Sequence, residues 1–227
     1  MLDISLHFVE QGQGHPLILL HGNGESCDYF EHQIPCFSKD YRVIAIDTRG
    51  HGQSPRGEKP FTIKQFSEDL HDFMDAHNIE KAILLGFSDG GNIALTFALK
   101  YPERVERMIL DGANLFPIGV RPLYQWPIEI GYRIAKLFAK KSEKAKQNTE
   151  MLGLMVNEPH IEPSQLAVLT MPVLVVAGTK DMIKESHTKL IYSSLPNAQL
   201  AILEGDHFVA NKNYAAFNAA VEAFLKE

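Results

Sequence analysis

Three residues that could together activate a nucleophile each follow a short apolar run of the sequence. Ser88 stands in "GFSDG", directly after "KAILL" and directly before the apolar "NIALTFALKYP". Asp181 ends "VLVVAGTKD", and His207 follows the run in "LAILEGDHF". A serine hydroxyl needs a base to take its proton and an acid to orient that base. The order serine, acid, histidine therefore predicts acyl chemistry on a serine.

The spacing around Ser88 strengthens this prediction. Gly-x-Ser-x-Gly between a strand and a helix is typical of a nucleophile elbow, a turn so tight that only glycine leaves room for the neighbouring backbone. Taken alone, the five-residue pattern also occurs by chance in loops. Here the flanking runs supply the strand and the helix that the elbow requires, which makes the match specific.

Other acids and bases compete for the same roles. Asp111 in "MILDGAN" also follows an apolar run and could reach the same histidine, although we prefer Asp181. Asp206 adjoins His207, but its side chain is poorly placed to point back at the imidazole. A surface or core role is expected for seven of the ten histidines, namely His7, His15, His32, His71, His77, His160 and His187.

A glycine-framed segment, "LLHGNG" (19–24), can supply donors for the oxyanion of a tetrahedral intermediate. We assign one backbone N–H to Asn23. The other is assigned to Asp89, which follows the serine and opens a helix whose positive dipole end favours an anion. The alternative is that "HGNG" forms only a turn.

Apolar, β-branched runs alternate with segments of helical period, which predicts an α/β fold with a mainly parallel sheet. The expected strands are "ISLHFVE" at an edge, "PLILL" (16–20), "YRVIAI" (41–46), "KAILLGF" (81–87), "RMIL" (107–110), "VLVVAG" (173–178) and "QLAIL" (199–203). An amphipathic helix is expected from Thr62, as N-cap, to His77. The carboxyl ends of parallel strands share one sheet edge, so the three candidate residues should converge there.

Residues 116–170 depart from this rhythm, because they contain no clear strand. We interpret them as a cap inserted between two parts of one core, residues 1–115 and 171–227. The insertion holds five prolines, the only tryptophan and the basic stretch "GYRIAKLFAKKSEKAKQ". Such a stretch can contact membranes or acidic partners, but a cap helix with a solvated outer face is the plainer reading. Residues of this segment that could line an acyl pocket, or equally serve as core beneath the cap, are Leu123, Tyr124, Trp126, Ile128 and Tyr132.

Composition limits the classes of function and the compartment. A formal net charge of −6 argues against general nucleic-acid binding and favours a small-molecule partner. The two cysteines, Cys27 and Cys36, suggest neither a disulfide framework nor a zinc site. The chain shows no signal peptide and no run of about 20 apolar residues. We therefore expect a cytoplasmic protein without stable membrane association, and the oligomeric state stays open.

Together these motifs resemble the α/β-hydrolase fold family. The matching segments are "HGNG", "DTRGHGQS" (47–54), "GFSDGG", "GTKD" and "GDHF", in family order. The resemblance implies a mainly parallel sheet of up to eight strands with helices on both faces, a small helical cap, and neither cofactor nor metal. Serine at the elbow disfavours the dehalogenase and epoxide hydrolase branches, which place an aspartate there. The "SDGG" elbow is similar to that of the branch that includes valacyclovir hydrolase, whose members cleave amino-acid esters.

The expected activity is hydrolysis of a small to medium carboxylic ester. Ser88 attacks, His207 carries the proton, Asp181 orients the imidazole, and water releases the acyl group. Thioesters, lactones and carbon–carbon bonds also remain possible substrates. The alternatives are an acyltransferase or perhydrolase with the same triad, or a non-catalytic binding protein of this fold. For the Asp89 carboxylate, capping of the following helix and binding of a substrate amine both stay open.

Overall fold

The computed structural model describes residues 3–227, and a seven-stranded sheet forms the centre of that part of the chain. The strand order is β1-β3-β2-β4-β5-β6-β7. The strands are β1 (Phe8–Gln11), β2 (Pro16–Leu20), β3 (Arg42–Ile46), β4 (Ala82–Phe87), β5 (Val105–Asp111), β6 (Val173–Gly178) and β7 (Ala198–Leu203). The predicted α/β class is confirmed, and β2 to β7 begin and end within about two residues of their expected runs, whereas β1 begins four residues after the start of its run.

All strand pairs are parallel except one. β1 pairs antiparallel with β3 at the edge, with Phe8 opposite Ile46, whereas β2 lies parallel between β3 and β4. β1 is largely exposed, since only Phe8 of its four residues is partly buried, as expected for a strand at the edge of the sheet. The central strands are buried along their whole length, which explains their unbroken apolar sequence.

Helices connect the strands. They are α1 (Gln33–Phe37), α2 (Ile63–Ala76), α3 (Asp89–Lys100), α4 (Pro122–Phe138), α5 (Glu143–Asn157), α6 (Glu185–Ser194), α7 (Val209–Lys212) and α8 (Tyr214–Leu225). Thr62 caps α2 as predicted, because its hydroxyl accepts a hydrogen bond from the Gln65 N–H at 3.1 Å. Nothing between residues 3 and 227 forms a helix long and apolar enough to cross a membrane.

The sheet has a core on each face. Ile18 and Leu20 of β2 pack with α2 and α3 on one side, while Leu17 and Leu19 pack on the other side with residues of α1 and α8. Successive side chains of a strand point to opposite faces, so one buried strand contributes to both cores. Each fully buried leucine contributes about 1.5–3 kcal/mol of apolar transfer free energy, which keeps the strand ends in fixed positions.

Within residues 116–170, hereafter the cap segment, α4 and α5 pack side by side, and short 3-10 helices lie before and after them. Three contacts connect α5 and its C-cap to the core. The Asn23 side-chain amide donates to the Met151 carbonyl at 2.7 Å, and Arg56 forms a bidentate ion pair with Glu150. The carboxylate of Glu158 accepts from the backbone N–H at the start of α2. α5 is therefore attached to the loops that follow β2 and β3.

Candidate active site

His207 lies between Ser88 and Asp181 and forms a hydrogen bond with each. Its Nε2 is 3.0 Å from the Ser88 hydroxyl oxygen, and its Nδ1 is 2.7 Å from Asp181 Oδ1. When Nδ1–H donates to the carboxylate, Nε2 is free to accept the hydroxyl proton. His207 and Asp181 are both buried, so water competes little for these bonds. The structure thus brings together the three residues that the sequence pointed to.

A strained turn presents Ser88 at the end of β4. Its φ is 52° and its ψ −118°, a conformation that L-residues rarely adopt. The Ser88 N–H donates to the Asp111 carbonyl at 2.7 Å, which holds the turn against β5. A Cβ at Gly86 would lie 2.3 Å from the Gly90 carbonyl oxygen, and one at Gly90 would lie 1.9 Å from that of Leu20. Both flanking glycines are therefore required by close backbone contacts.

Asp181 and His207 follow β6 and β7 at the same sheet edge. The backbone fixes the Asp181 carboxylate, since its Oδ1 also accepts from the Ile183 N–H at 2.8 Å. The imidazole of His207 packs against the ring of Phe87, with 4.9 Å between centroids. This packing and the two hydrogen bonds determine the orientation of the base.

Gly112, which was not predicted as a site residue, lies directly under the imidazole. Its φ is +62°, and a Cβ there would lie 2.6 Å from His207 Cε1 and 2.8 Å from Nδ1. Any side chain at this position would displace the ring from its two partners. The available signal was a glycine immediately after the end of a predicted strand, in "LDGAN".

Asp111, the rival acid, does not contact His207. It is fully buried, and neither of its carboxyl oxygens has a hydrogen-bond partner within residues 3–227. Burial, reinforced by the neighbouring charge of Asp181, raises the pKa of Asp111 well above its ordinary value. Asp206 is also directed elsewhere, because its carboxylate accepts from the Phe208 N–H and pairs with Lys212. Asp181 is the acid that reaches the imidazole.

The "HGNG" loop runs directly against the elbow. A Cβ at Gly22 would lie 2.9 Å from the Phe87 ring and 3.2 Å from the Ser88 Cβ. His21 anchors the loop, with its Nδ1 2.7 Å from the Gly22 carbonyl and its Nε2 accepting from the Thr48 N–H at 3.0 Å. Throughout the described part of the chain, the backbone N–H groups of Asn23 and Asp89 have no acceptor. Both remain available to an oxyanion beside Ser88.

The side chain of Asp89 does not cap α3. Its Oδ1 accepts from the side-chain amide of Asn92 at 3.1 Å, and that amide also donates to Asn114 at 3.0 Å. The other oxygen, Oδ2, is buried and has no partner in residues 3–227. Burial raises the pKa of Asp89 to about 6, and the charge of Glu158 acts in the same direction. A buried acceptor thus lies next to the nucleophile.

Three of the five pocket residues suggested in the cap segment lie on the outside. Leu123 is 77% exposed, Trp126 67% and Tyr124 42%. Side chains this exposed do not enclose an acyl chain, so their assignment to a closed pocket is wrong for this conformation. Both sides of α4 carry apolar residues, and the buried side is the one that contains Gln125 and Ala135.

His7, Cys27 and Asp47 form a cluster with metal-ligating atoms within 4.8 Å of one another. The Asp47 carboxylate already accepts from the backbone N–H groups of Cys27 and Gln53, at 2.7 and 2.8 Å, and lies 2.8 Å from His7 Nδ1. Burial raises the pKa of the Cys27 thiol to about 12, which opposes formation of the thiolate that a metal would need. Through these hydrogen bonds Asp47 holds the "DTRGHGQS" loop against the segment around Cys27.

Fold and site together define a hydrolase of a known family. The family model described as alpha/beta hydrolase fold matches residues 15–142. The chain belongs to the α/β-hydrolase fold family.

Curated relatives are similar over nearly the whole chain. Human serine hydrolase BPHL is 29% identical over 245 aligned positions, which cover 98% of this chain and 84% of the relative. The 3-oxoadipate enol-lactonase 2 of Acinetobacter baylyi is 27% identical and covers 99% and 94% of the two chains. A crystal structure of a hydrolase from Pseudomonas aeruginosa superimposes with a TM-score of 0.80 at 26% identity and covers 99% of this chain and 95% of that one. These similarities support a hydrolase.

Proposed function

We propose that the protein is a serine hydrolase that cleaves small to medium carboxylic esters through an acyl-enzyme. The observation that carries this proposal is the pair of hydrogen bonds that His207 forms, at 3.0 Å to Ser88 and 2.7 Å to Asp181. The proposed reaction uses no cofactor. The free thiols of Cys27 and Cys36 agree with a reducing compartment, and we propose the cytoplasm.

In the first half of the reaction, Ser88 Oγ bonds to the ester carbonyl carbon while its proton passes to His207 Nε2. Asp181 holds the Nδ1–H and stabilises the imidazolium that forms. The carbonyl oxygen becomes an oxyanion, which accepts from the N–H groups of Asn23 and Asp89. Collapse of this intermediate breaks the bond to the alkoxy group, and His207 returns the proton to the leaving alcohol.

In the second half, water attacks the acyl-enzyme. His207 takes one proton from the water as its oxygen bonds to the acyl carbon, and the second tetrahedral intermediate uses the same two N–H donors. The acyl–oxygen bond to Ser88 then breaks, the serine recovers its proton, and the free acid leaves. Each proton that leaves Ser88 or water is held by Nε2, so one base serves both halves.

For the substrate, we propose an ester that carries a protonated amine near the acyl carbon. Within residues 3–227, the buried Asp89 Oδ2 has no hydrogen-bond partner, and an ammonium group would satisfy it. The carboxylate of Glu158 adds negative potential at the same place, because its charge raises the pKa of Asp89. The similarity to human serine hydrolase BPHL supports hydrolysis without specifying the ester.

A fluorophosphonate probe and a panel of paired esters test both parts of the proposal. The native protein should be labelled at Ser88 and should release free acid from p-nitrophenyl esters, even with an added alcohol. Transfer to the alcohol as the main product would favour an acyltransferase instead. An α-amino acid ester should be hydrolysed faster than its des-amino analogue.

Asp89→Asn keeps the shape of the side chain and removes its charge. This variant should lose the preference for the amino ester and retain its rate on the des-amino ester. The preference should be largest between about pH 6, where Asp89 ionises, and about pH 8, where an α-amine loses its proton. Equal losses on both esters would contradict amine binding while leaving the ester hydrolase proposal intact.

A further inference from the structure

The outward side of α4 carries a continuous stripe of large apolar side chains. The stripe consists of Leu123, Trp126, Ile130, Ile134, Leu137 and Phe138, which are 53–77% exposed. Their spacing of one, three and four residues places them within about 120° of the helix circumference and over about 22 Å of its length. Exposed apolar surface that is contiguous, rather than scattered, marks an interaction site. We call these six residues the outer stripe.

The outer stripe does not face the catalytic residues. The opposite side of α4, which includes the buried Gln125 and Ala135, packs against α5, and α5 in turn contacts the "HGNG" loop through Met151. A substrate bound at Ser88 would therefore be separated from the stripe by the helix pair. The stripe needs another occupant.

The charges next to the stripe indicate which occupant fits. Residues 121–146 contain seven Lys or Arg and only two Glu, a formal charge of +5 on a chain whose total is −6. Arg133 borders the stripe along α4, Lys140 and Lys141 follow in the turn to α5, and Lys144 lies in the first turn of α5. All four are exposed. The apolar stripe is thus accompanied by a local excess of positive charge.

We propose that the outer stripe docks reversibly on the surface of anionic membranes. A helix with an apolar face rich in Trp, Phe and Leu and with flanking Lys and Arg lies in the interfacial plane of a bilayer. Trp126 near the start of the stripe and Phe138 at its end would occupy the headgroup boundary, and the lysines would meet anionic lipids. This differs from the absence of stable membrane association expected from sequence, and it does not depend on the proposed ester substrate.

A second copy of the chain is a poorer fit for the same surface. Pairing two outer stripes around a two-fold axis would bring together two segments of charge +5 each. This net charge already includes Glu129 and Glu143, which are the only acids of each segment, and Glu143 Oε1 lies 3.4 Å from Lys146 Nζ. Repulsion between the two positively charged segments opposes such a dimer. An anionic lipid surface instead neutralises the charge of the segment.

The single tryptophan of the chain lies within the outer stripe, so it reports directly on docking. On titration with vesicles of phosphatidylglycerol and phosphatidylcholine, Trp126 emission should shift to shorter wavelength, and brominated lipids should quench it. Vesicles of phosphatidylcholine alone should bind at least tenfold more weakly, and added salt should weaken binding to the anionic vesicles.

Two triple variants separate the apolar and the charged contributions. Ile130→Ser with Ile134→Ser and Leu137→Ser should weaken vesicle binding by at least about tenfold, and Trp126 stays in place as the reporter. Lys140→Gln with Lys141→Gln and Lys144→Gln should weaken binding to anionic vesicles by about fivefold for each charge removed. Val168→Ser is the matched control, since Val168 is 62% exposed outside the stripe and its replacement should change nothing.

Three results would overturn the proposal. The first is the absence of any emission shift with anionic vesicles. The second is equal binding to neutral and anionic vesicles, which would remove the role of the lysines. The third is a lipid-free dimer, measured by sedimentation equilibrium, that the apolar triple variant abolishes, because a second copy would then be the occupant. Unchanged thermal unfolding of the variants establishes that each is folded.

Discussion

Replacing the two buried aspartates near His207 one at a time tests which of them is the acid of the proposed triad. Asp181→Asn removes a charge whose Oδ1 lies 2.7 Å from His207 Nδ1, at a site where Asp181 is 2% exposed. For charge centres about 4 Å apart and an effective dielectric constant of about 20, the lost attraction to the imidazolium is roughly 4 kcal/mol. At 1.36 kcal/mol for each tenfold in rate, this alone lowers kcat by about 10³. Loss of the fixed tautomer brings the expected loss to about 10⁴.

Asp111→Asn should behave differently, because burial already holds this carboxyl in its neutral form to higher pH. Replacing a neutral acid by an amide of the same shape changes no charge near His207, so kcat should stay within about threefold of the native value. The assay is steady-state hydrolysis of p-nitrophenyl acetate and butyrate by both variants. A loss of about 10³ or more at Asp111 would refute the assignment of the acid to Asp181.

Thermal unfolding gives Asp111 a second, independent readout. Its pKa is raised in the folded state, so above about pH 4 the native protein retains a proton that the unfolded chain releases. Native stability contributed by this group is present below about pH 4 and is lost as the pH rises toward the folded pKa. Asp111→Asn has no such proton to retain. Its Tm should exceed that of the native protein by more at pH 7 than at pH 4, and the reverse trend would contradict a neutral Asp111.

Two further changes probe the same site. Ser88→Ala should abolish fluorophosphonate labelling and lower kcat/KM by about 10⁴ to 10⁶, and labelling that persists would rule out Ser88 as nucleophile. Gly112→Ala should lower kcat by about 10² or more with little change in KM, because the added Cβ displaces His207. Native kcat in that variant would show that the ring tolerates the displacement.

The parts of the structure that could be read from sequence are those set by burial and chain order. β2 and β6 match their expected runs to the residue, because strands buried on both faces leave uninterrupted apolar sequence between polar loops. The juxtaposition of Ser88, Asp181 and His207 followed from one rule, that parallel strands end at the same edge. Neither inference required knowledge of side-chain packing.

The features that the sequence did not predict depend on tertiary packing, such as which of two similar faces of a helix is buried. α4 has apolar residues on both sides, so its period did not show that Trp126 would be exposed and Gln125 buried. The Asp89 side chain could have capped α3, but Asn92 lies close enough to take its Oδ1. Gly112 carries no functional atom, and its importance appears only when the ring above it is placed. Tertiary contacts determine all three of these features.

Asn23 links the position of α5, which affects access of the substrate, to the proposed stabilisation of the oxyanion. Its side chain holds α5 through the Met151 carbonyl at 2.7 Å, and its backbone N–H is the proposed oxyanion donor. Any displacement of α5 that admits an ester would break or strain this bond and release the loop that carries the donor. An open enzyme would then bind substrate but turn it over slowly, and full activity would return only on closure. Substrate access and oxyanion stabilisation would then be coupled through the Asn23 side chain, so ligands too bulky to allow closure should act as inhibitors rather than as substrates.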